Sequence, residues 1–145
     1  MIALGCDHGG YNLISAIKKY LDEKGIEYKE FGTFSDDSVD YPIYAYKVAK
    51  AVTEGDCELG ILCCGTGIGI SMAANKVNGV RAAVVNNEFG AEMTRRHNHA
   101  NILCMGGRVV GPGLACDMVD LFLDTPFEGG RHQKRIDMIS DYEEK

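Results

Sequence analysis

The sequence has no excess of positive charge, no long apolar run and no paired-cysteine motif, and each absence closes off a class of function. Lys and Arg together number 15 against 21 Asp and Glu, giving a formal net charge of −6 and a pI near 5.1. A chain of that sign does not offer the basic face that nucleic acid or an anionic membrane would engage. No apolar run approaches the ~20 residues that cross a bilayer, and no charged-then-apolar segment resembles a signal peptide, so a cytoplasmic protein is expected. The six cysteines, at positions 6, 57, 63, 64, 104 and 116, follow neither a metal-ligand spacing nor a disulfide framework. Reduced thiols and no metal are therefore expected. Cys63 and Cys64 are adjacent, which excludes a Cys-x-x-Cys redox pair.

What is present is alternation. Over 145 residues, 46% of them hydrophobic, short apolar runs take turns with stretches of helical periodicity, which predicts β-α-β units and a parallel sheet in one domain spanning 1–145. The runs are Met1 to Cys6, Glu27 to Phe31, Ile61 to Cys63, Val80 to Val85 and Ile102 to Met105. Between them lie helices carrying Leu13, Ile14, Ile17 and Leu21; Ala45, Val48, Ala49 and Val52; and the segment from Glu88 to Arg96. Pro112 opens a last sheet-packing helix, and a polar segment from Gly129 leads into a C-terminal one. The expected fold is α/β: a doubly wound, Rossmann-like five-stranded parallel sheet sandwiched by helices, with a C-terminal helical extension.

The chain is organised around Leu59 to Ser71, where an apolar run ends in Cys63-Cys64 and breaks into Gly65-Thr66-Gly67-Ile68-Gly69 before a helix. The glycines free the backbone to approach a ligand, and amides at a helix start bind oxyanions. A thiol there has its thiolate favoured and can serve as base or nucleophile, which makes Cys64 the candidate reactive atom; the alternative is a small buried hydrophobe. Better-known loop motifs do not fit. A dinucleotide fingerprint needs a glycine where Ile70 stands and an acid where Asn86 and Asn87 follow the next strand. There is no Gly-Lys-Ser/Thr, and the position at which thiol phosphatases carry an arginine is again Ile70.

Asp7 and His8 follow the first strand, the cysteine-glycine loop the third and Arg108 the fifth, so all are expected along one crevice at the sheet edge. Arg131 and Arg135 are spaced to share one helix face, either as a phosphate clamp or as a solvated basic face. His97 and His99 sit in a dense polar cluster at a helix end, as an acid-base group or as dipole-capping side chains. Together, a thiol base, an oxyanion loop, a histidine and arginines suit proton transfer on a small phosphorylated carbonyl compound.

Six separated stretches strongly resemble the B-type ribose-5-phosphate isomerases, which are grouped with galactose-6-phosphate isomerase subunits. They are Gly5 to Gly10, Asp40-Tyr41-Pro42, Cys64 to Ser71 with Ala73 to Lys76, Arg96-His97-Asn98, Gly107 to Gly111, and Gly129 to Arg135. The resemblance implies an aldose-ketose isomerase that needs no cofactor. In it, Cys64 moves the proton between C1 and C2, His97 opens the furanose ring and Thr66 is a helper hydroxyl. It further implies that Asp7, His8 and the amides of Gly65, Thr66, Gly67, Ile68 and Gly69 hold the sugar, that Asn98, Arg108, Arg131 and Arg135 bind hydroxyls and phosphate, and that Tyr41 walls the pocket. Members lacking the cysteine use a glutamate at the position that is Ile70 here, so this chain resembles the cysteine-using group. A homodimer, or a pair of dimers, with the cysteine and histidine contributed by different subunits is implied too. A six-carbon sugar phosphate as substrate, or a catalytically silent sugar-phosphate binder, are the other readings.

Overall fold

Strands β1 (Ile2–Cys6), β3 (Leu59–Cys64) and β5 (Ile102–Gly106) are buried almost throughout, which is why their sequences read as continuous apolar runs rather than alternations. In the computed structural model, which describes residues 1–143, they form the centre of a five-stranded parallel sheet of order β2-β1-β3-β5-β4. The edge strands are β2 (Tyr28–Glu30) and β4 (Ala82–Val84), both shorter than the apolar runs predict. An edge strand is paired on one side only, and at β4 the ladder stops where the Asn101 side chain takes the Arg81 N–H at 2.7 Å.

Six helices complete the chain: α1 (Tyr11–Lys24), α2 (Tyr41–Thr53), α3 (Ile68–Ala74), α4 (Glu88–Arg96), α5 (Pro112–Asp124) and α6 (Arg131–Asp141). Leu13, Ile14, Ile17 and Leu21 form the buried stripe of α1, which ends at Gly25 in the left-handed region with its N–H on the Leu21 and Asp22 carbonyls. Pro42 occupies the first turn of α2, and the Asn87 side chain caps α4 by accepting from Gly90 N–H at 2.7 Å. Alternate residues of the central strands feed two cores. Leu4, Cys6, Ile61, Cys63, Leu103 and Met105 pack with α1, α4 and α5, while Ala3, Leu62, Cys64, Ile102 and Cys104 pack with α2 and α3. The neighbouring Cys63 and Cys64 thus face opposite sides of the sheet.

This is the doubly wound architecture expected from the alternation, with α6 as the extension beyond it. The loop before α6 folds back on the end of α4, where Glu128 N–H donates to the Arg96 carbonyl at 3.0 Å. Among the described residues, no helix is long and apolar enough to cross a membrane.

Candidate active site

Three loops converge at the carboxyl ends of β1, β3 and β5. The Asp7 N–H donates to the Cys63 carbonyl (3.2 Å), Gly107 N–H to the Cys64 carbonyl (2.8 Å) and Arg108 N–H to the Gly65 carbonyl (3.0 Å). The approach is close enough to require glycine at Gly10, where a Cβ would stand 2.2 Å from the Cys63 carbonyl oxygen. Asp7 is 6% exposed, and its Oδ1 accepts from the Gly9 (2.8 Å) and Gly10 (3.1 Å) amides, so this carboxylate shapes its own loop. His8 Nδ1 accepts from Val39 N–H at 3.2 Å, which assigns the ring proton of the neutral imidazole to Nε2.

Cys64 lies at the base of this junction. Its Sγ accepts a hydrogen bond from the Gly67 amide at 3.1 Å, a geometry that needs the left-handed φ of +82° at Gly67. The Ile68 amide donates to the exposed Thr66 Oγ1 at 3.2 Å. Around the loop, Arg108 Nη1 is 3.2 Å from where a Gly65 Cβ would be, and the Tyr41 ring is within 3.0 Å of the same point on Gly69. Asp7, His8, Tyr41, Cys64, the loop from Gly65 to Gly69 and Arg108 are therefore neighbours. Burial pushes Cys6 up to about 12 and Cys63 well above the ordinary thiol range, and it also raises Cys57, Cys104 and Cys116.

His97 and Asn98 stand elsewhere. A crossover helix runs antiparallel to its strands, so His97, at the C-terminal cap of α4, lies at the amino ends of the strands. Arg81 donates to the carbonyls of Asn98 (3.2 Å) and His99 (2.9 Å) there, just ahead of β4. His99 adopts φ +47° and stacks on Phe127 with centroids 4.4 Å apart; burial, with Arg81 and Arg95 nearby, holds its pKa below the ordinary 6.5. A cavity of about 690 Å³ opens at this edge, lined by Asn98, Arg81, Lys76 and Tyr142 among others. Arg131 and Arg135, both exposed, belong to α6 at the same edge. Within one chain the strand length separates this group from Cys64 by on the order of 15 Å.

The fold also gathers two residues to which sequence reasoning gave no role. The Glu128 carboxylate lies between His97 Nε2 (3.7 Å) and His132 Nε2 (3.5 Å), and the two imidazoles stack with centroids 4.3 Å and planes 12° apart. These three groups offer ligand-type atoms within 4.8 Å of one another. The ring planes run side by side instead of meeting at a point, which suits two N–H donors facing one carboxylate better than two lone pairs converging on an ion. The available signal was an acid abutting Gly129-Gly130-Arg131-His132 and spaced one helical turn from the histidine.

Known proteins are similar in sequence and fold over nearly the full length. Ribose-5-phosphate isomerase B of Escherichia coli is 48% identical over 144 residues, covering 99% of this chain and 97% of that protein. The structure of Clostridium thermocellum ribose-5-phosphate isomerase B superposes with a TM-score of 0.95 at 54% identity, covering 97% of this chain and 95% of the other. The Mycoplasma genitalium ribose-5-phosphate isomerase B, solved with bound ribulose-5-phosphate, gives 0.91 at 45% identity over 97% of this chain and 94% of its own. Residues 2–139 match the Ribose/Galactose Isomerase family, and with that match over nearly its whole length the chain belongs to this family of sugar isomerases.

Proposed function

We propose that the chain interconverts ribose 5-phosphate and ribulose 5-phosphate, with Cys64 as the base that moves the proton between C1 and C2. The observation that carries this reading is the Cys64 sulfur, held on the Gly67 amide at the crevice of the sheet, in a fold shared with a relative that binds ribulose-5-phosphate. His97 donates a proton to the ring oxygen as the C1–O bond opens, and the C1 hydroxyl proton leaves to water. Cys64 takes the C2 proton, and amides of the Gly65 to Gly69 loop, with Thr66 beside them, stabilise the oxyanion of a cis-enediolate. The ketose is completed when the O2 proton passes to O1, leaving the C2 carbonyl, and the Cys64 thiol returns its proton to C1. Asp7, His8, Tyr41 and Asn98 contact the sugar, and Arg108, Arg131 and Arg135 supply forked donors for phosphate and hydroxyls.

Cys64 and His97 stand at opposite edges of one sheet, yet both must touch one small sugar. The reading therefore assigns a complete site to two copies of the chain, each giving its cysteine edge to the other's histidine edge. A homodimer of this kind is supported by exposed apolar residues near the loop, Ile68 and Met72 on α3 and Phe89 on α4, left uncovered in the single chain.

The test is ketose formation from ribose 5-phosphate by the purified protein, with no metal added. Turnover should fall about 10²–10⁴-fold in Cys64→Ala, the range expected for a positioned base. A variant that retained near-full turnover would remove Cys64 from the mechanism. Turnover of allose 6-phosphate or galactose 6-phosphate alone would reassign the substrate, and turnover of none would make the chain a sugar-phosphate binder.

A further inference from the structure

The Glu128 carboxylate is placed to control His97. His97 closes α4 and is partly open to solvent, so its imidazole is not fixed by packing alone. On one side it is stacked against His132, which is buried at 7% exposure. The His132 Nε2 is enclosed and makes no hydrogen bond within 3.5 Å, and the group facing it is Glu128 Oε1. The second oxygen, Oε2, faces His97 Nε2. The Glu128 backbone is anchored beside His97, because its N–H donates to the carbonyl of Arg96, one residue before His97. Backbone, carboxylate and stacked ring thus bear on the same imidazole from three directions.

We propose that Glu128 is a positioning residue for His97, its carboxylate bridging the Nε2 atoms of His97 and His132 so that the His97 ring is held in one tautomer and orientation. With Nε2–H on the carboxylate, the Nδ1 side of His97 faces the sugar. In the protonated ring, the Nδ1–H is then the proton delivered to the ring oxygen. This inference rests on the reading of His97 as the group that opens the ring.

The experiment compares Glu128→Gln, Glu128→Asp and His97→Asn in the intact protein. Two reactions are followed: ketose formation from ribose 5-phosphate, which requires ring opening, and exchange of the C1 hydrogen of ribulose 5-phosphate with deuterated water. The ketose carries its phosphate on O5 and forms no furanose, so this exchange needs the Cys64 base and not ring opening. Glu128→Gln should lower kcat for ribose 5-phosphate about tenfold or more with KM little changed. It should leave the C1 exchange rate and the melting temperature near wild type and move the imidazole ¹⁵N resonances of His97, and Glu128→Asp should recover part of kcat. Wild-type kcat in Glu128→Gln beside an impaired His97→Asn would overturn the inference and leave the proposed function standing. Equal loss of both reactions in Glu128→Gln would overturn it too, by showing a structural role. Full turnover in His97→Asn would instead refute ring opening by His97, and the role of Glu128 with it.

Discussion

Replacing Gly10 with alanine tests how tightly the three loops of the cysteine edge are joined. The added Cβ would stand 2.2 Å from the Cys63 carbonyl oxygen, 2.3 Å from its carbon and 2.6 Å from the Cys63 Cβ. An ordinary carbon–oxygen contact is about 1 Å longer, so one of two backbones must move, and neither is a flexible side-chain tip. Gly10 has φ −106°, so alanine brings no left-handed strain, and the whole effect is steric. Overpacking that shifts backbone costs ~1–3 kcal/mol, and two abutting main chains place this case at about 3 kcal/mol. At 2–4 °C per kcal/mol for a chain of this size, the melting temperature should fall by roughly 6–12 °C. Cys63 precedes Cys64, so the displacement reaches the sulfur proposed as the base, and a 1 Å misplacement there costs up to about 10²-fold in kcat. Gly111→Ala is the control, since nothing lies within 4 Å of its added Cβ and its φ is −75°. Thermal unfolding followed by circular dichroism, with kcat measured well below the transition, gives both numbers. A Gly10→Ala protein that melts within 2 °C of wild type at full kcat would refute the steric argument.

Three further outcomes follow from the same contacts. Asp7→Asn keeps the Oδ1 acceptor for the Gly9 and Gly10 amides, whereas Asp7→Ala removes it from Gly9 N–H and leaves Gly10 N–H with the Asp7 carbonyl alone; denaturant titration should show a loss of about 0.5–1.5 kcal/mol for alanine alone. His99 has its pKa lowered on folding, so the unfolded chain binds the extra proton more readily. Stability is then fully present above pH 6.5 and declines as pH falls from 6.5 through the folded-state pKa; His99→Gln should flatten that part of a stability-against-pH curve, and an unchanged slope would contradict the assignment. Arg135→Ala should raise KM for the sugar phosphate with kcat little altered, and an unchanged KM would remove Arg135 from phosphate binding.

Much of this was legible in the sequence because the local signals agree with one another. The apolar runs of β1, β3 and β5 are uninterrupted because both faces are buried, and Asn87, Pro42 and Gly25 mark helix ends by their own chemistry. The edge strands were less legible, since β2 and β4 stop where one-sided pairing stops and not where apolar residues run out. The neighbourhood of Asp7, His8, Cys64 and Arg108 follows from strand ends sharing one edge. His97 is a different case. Its position at the end of α4 already places it at the far edge of a parallel sheet, outside the crevice of Asp7, His8, Cys64 and Arg108, and the resemblance already implied a different subunit for it. Glu128 and His132 meet His97 only because the segment after α5 turns back onto α4, and no local pattern specifies that return.

In the proposed homodimer, one site is built from the cysteine edge of one copy and the histidine edge of another. The most direct test is to mix Cys64→Ala with His97→Asn, each inactive alone, under conditions that let subunits exchange. In a mixed dimer, one site then carries both substitutions and the other carries neither. Statistical exchange at equal concentrations should restore about a quarter of wild-type turnover of ribose 5-phosphate. A mixture that exchanges subunits, as shown by mass spectrometry, and yet stays as inactive as its parents would contradict the account.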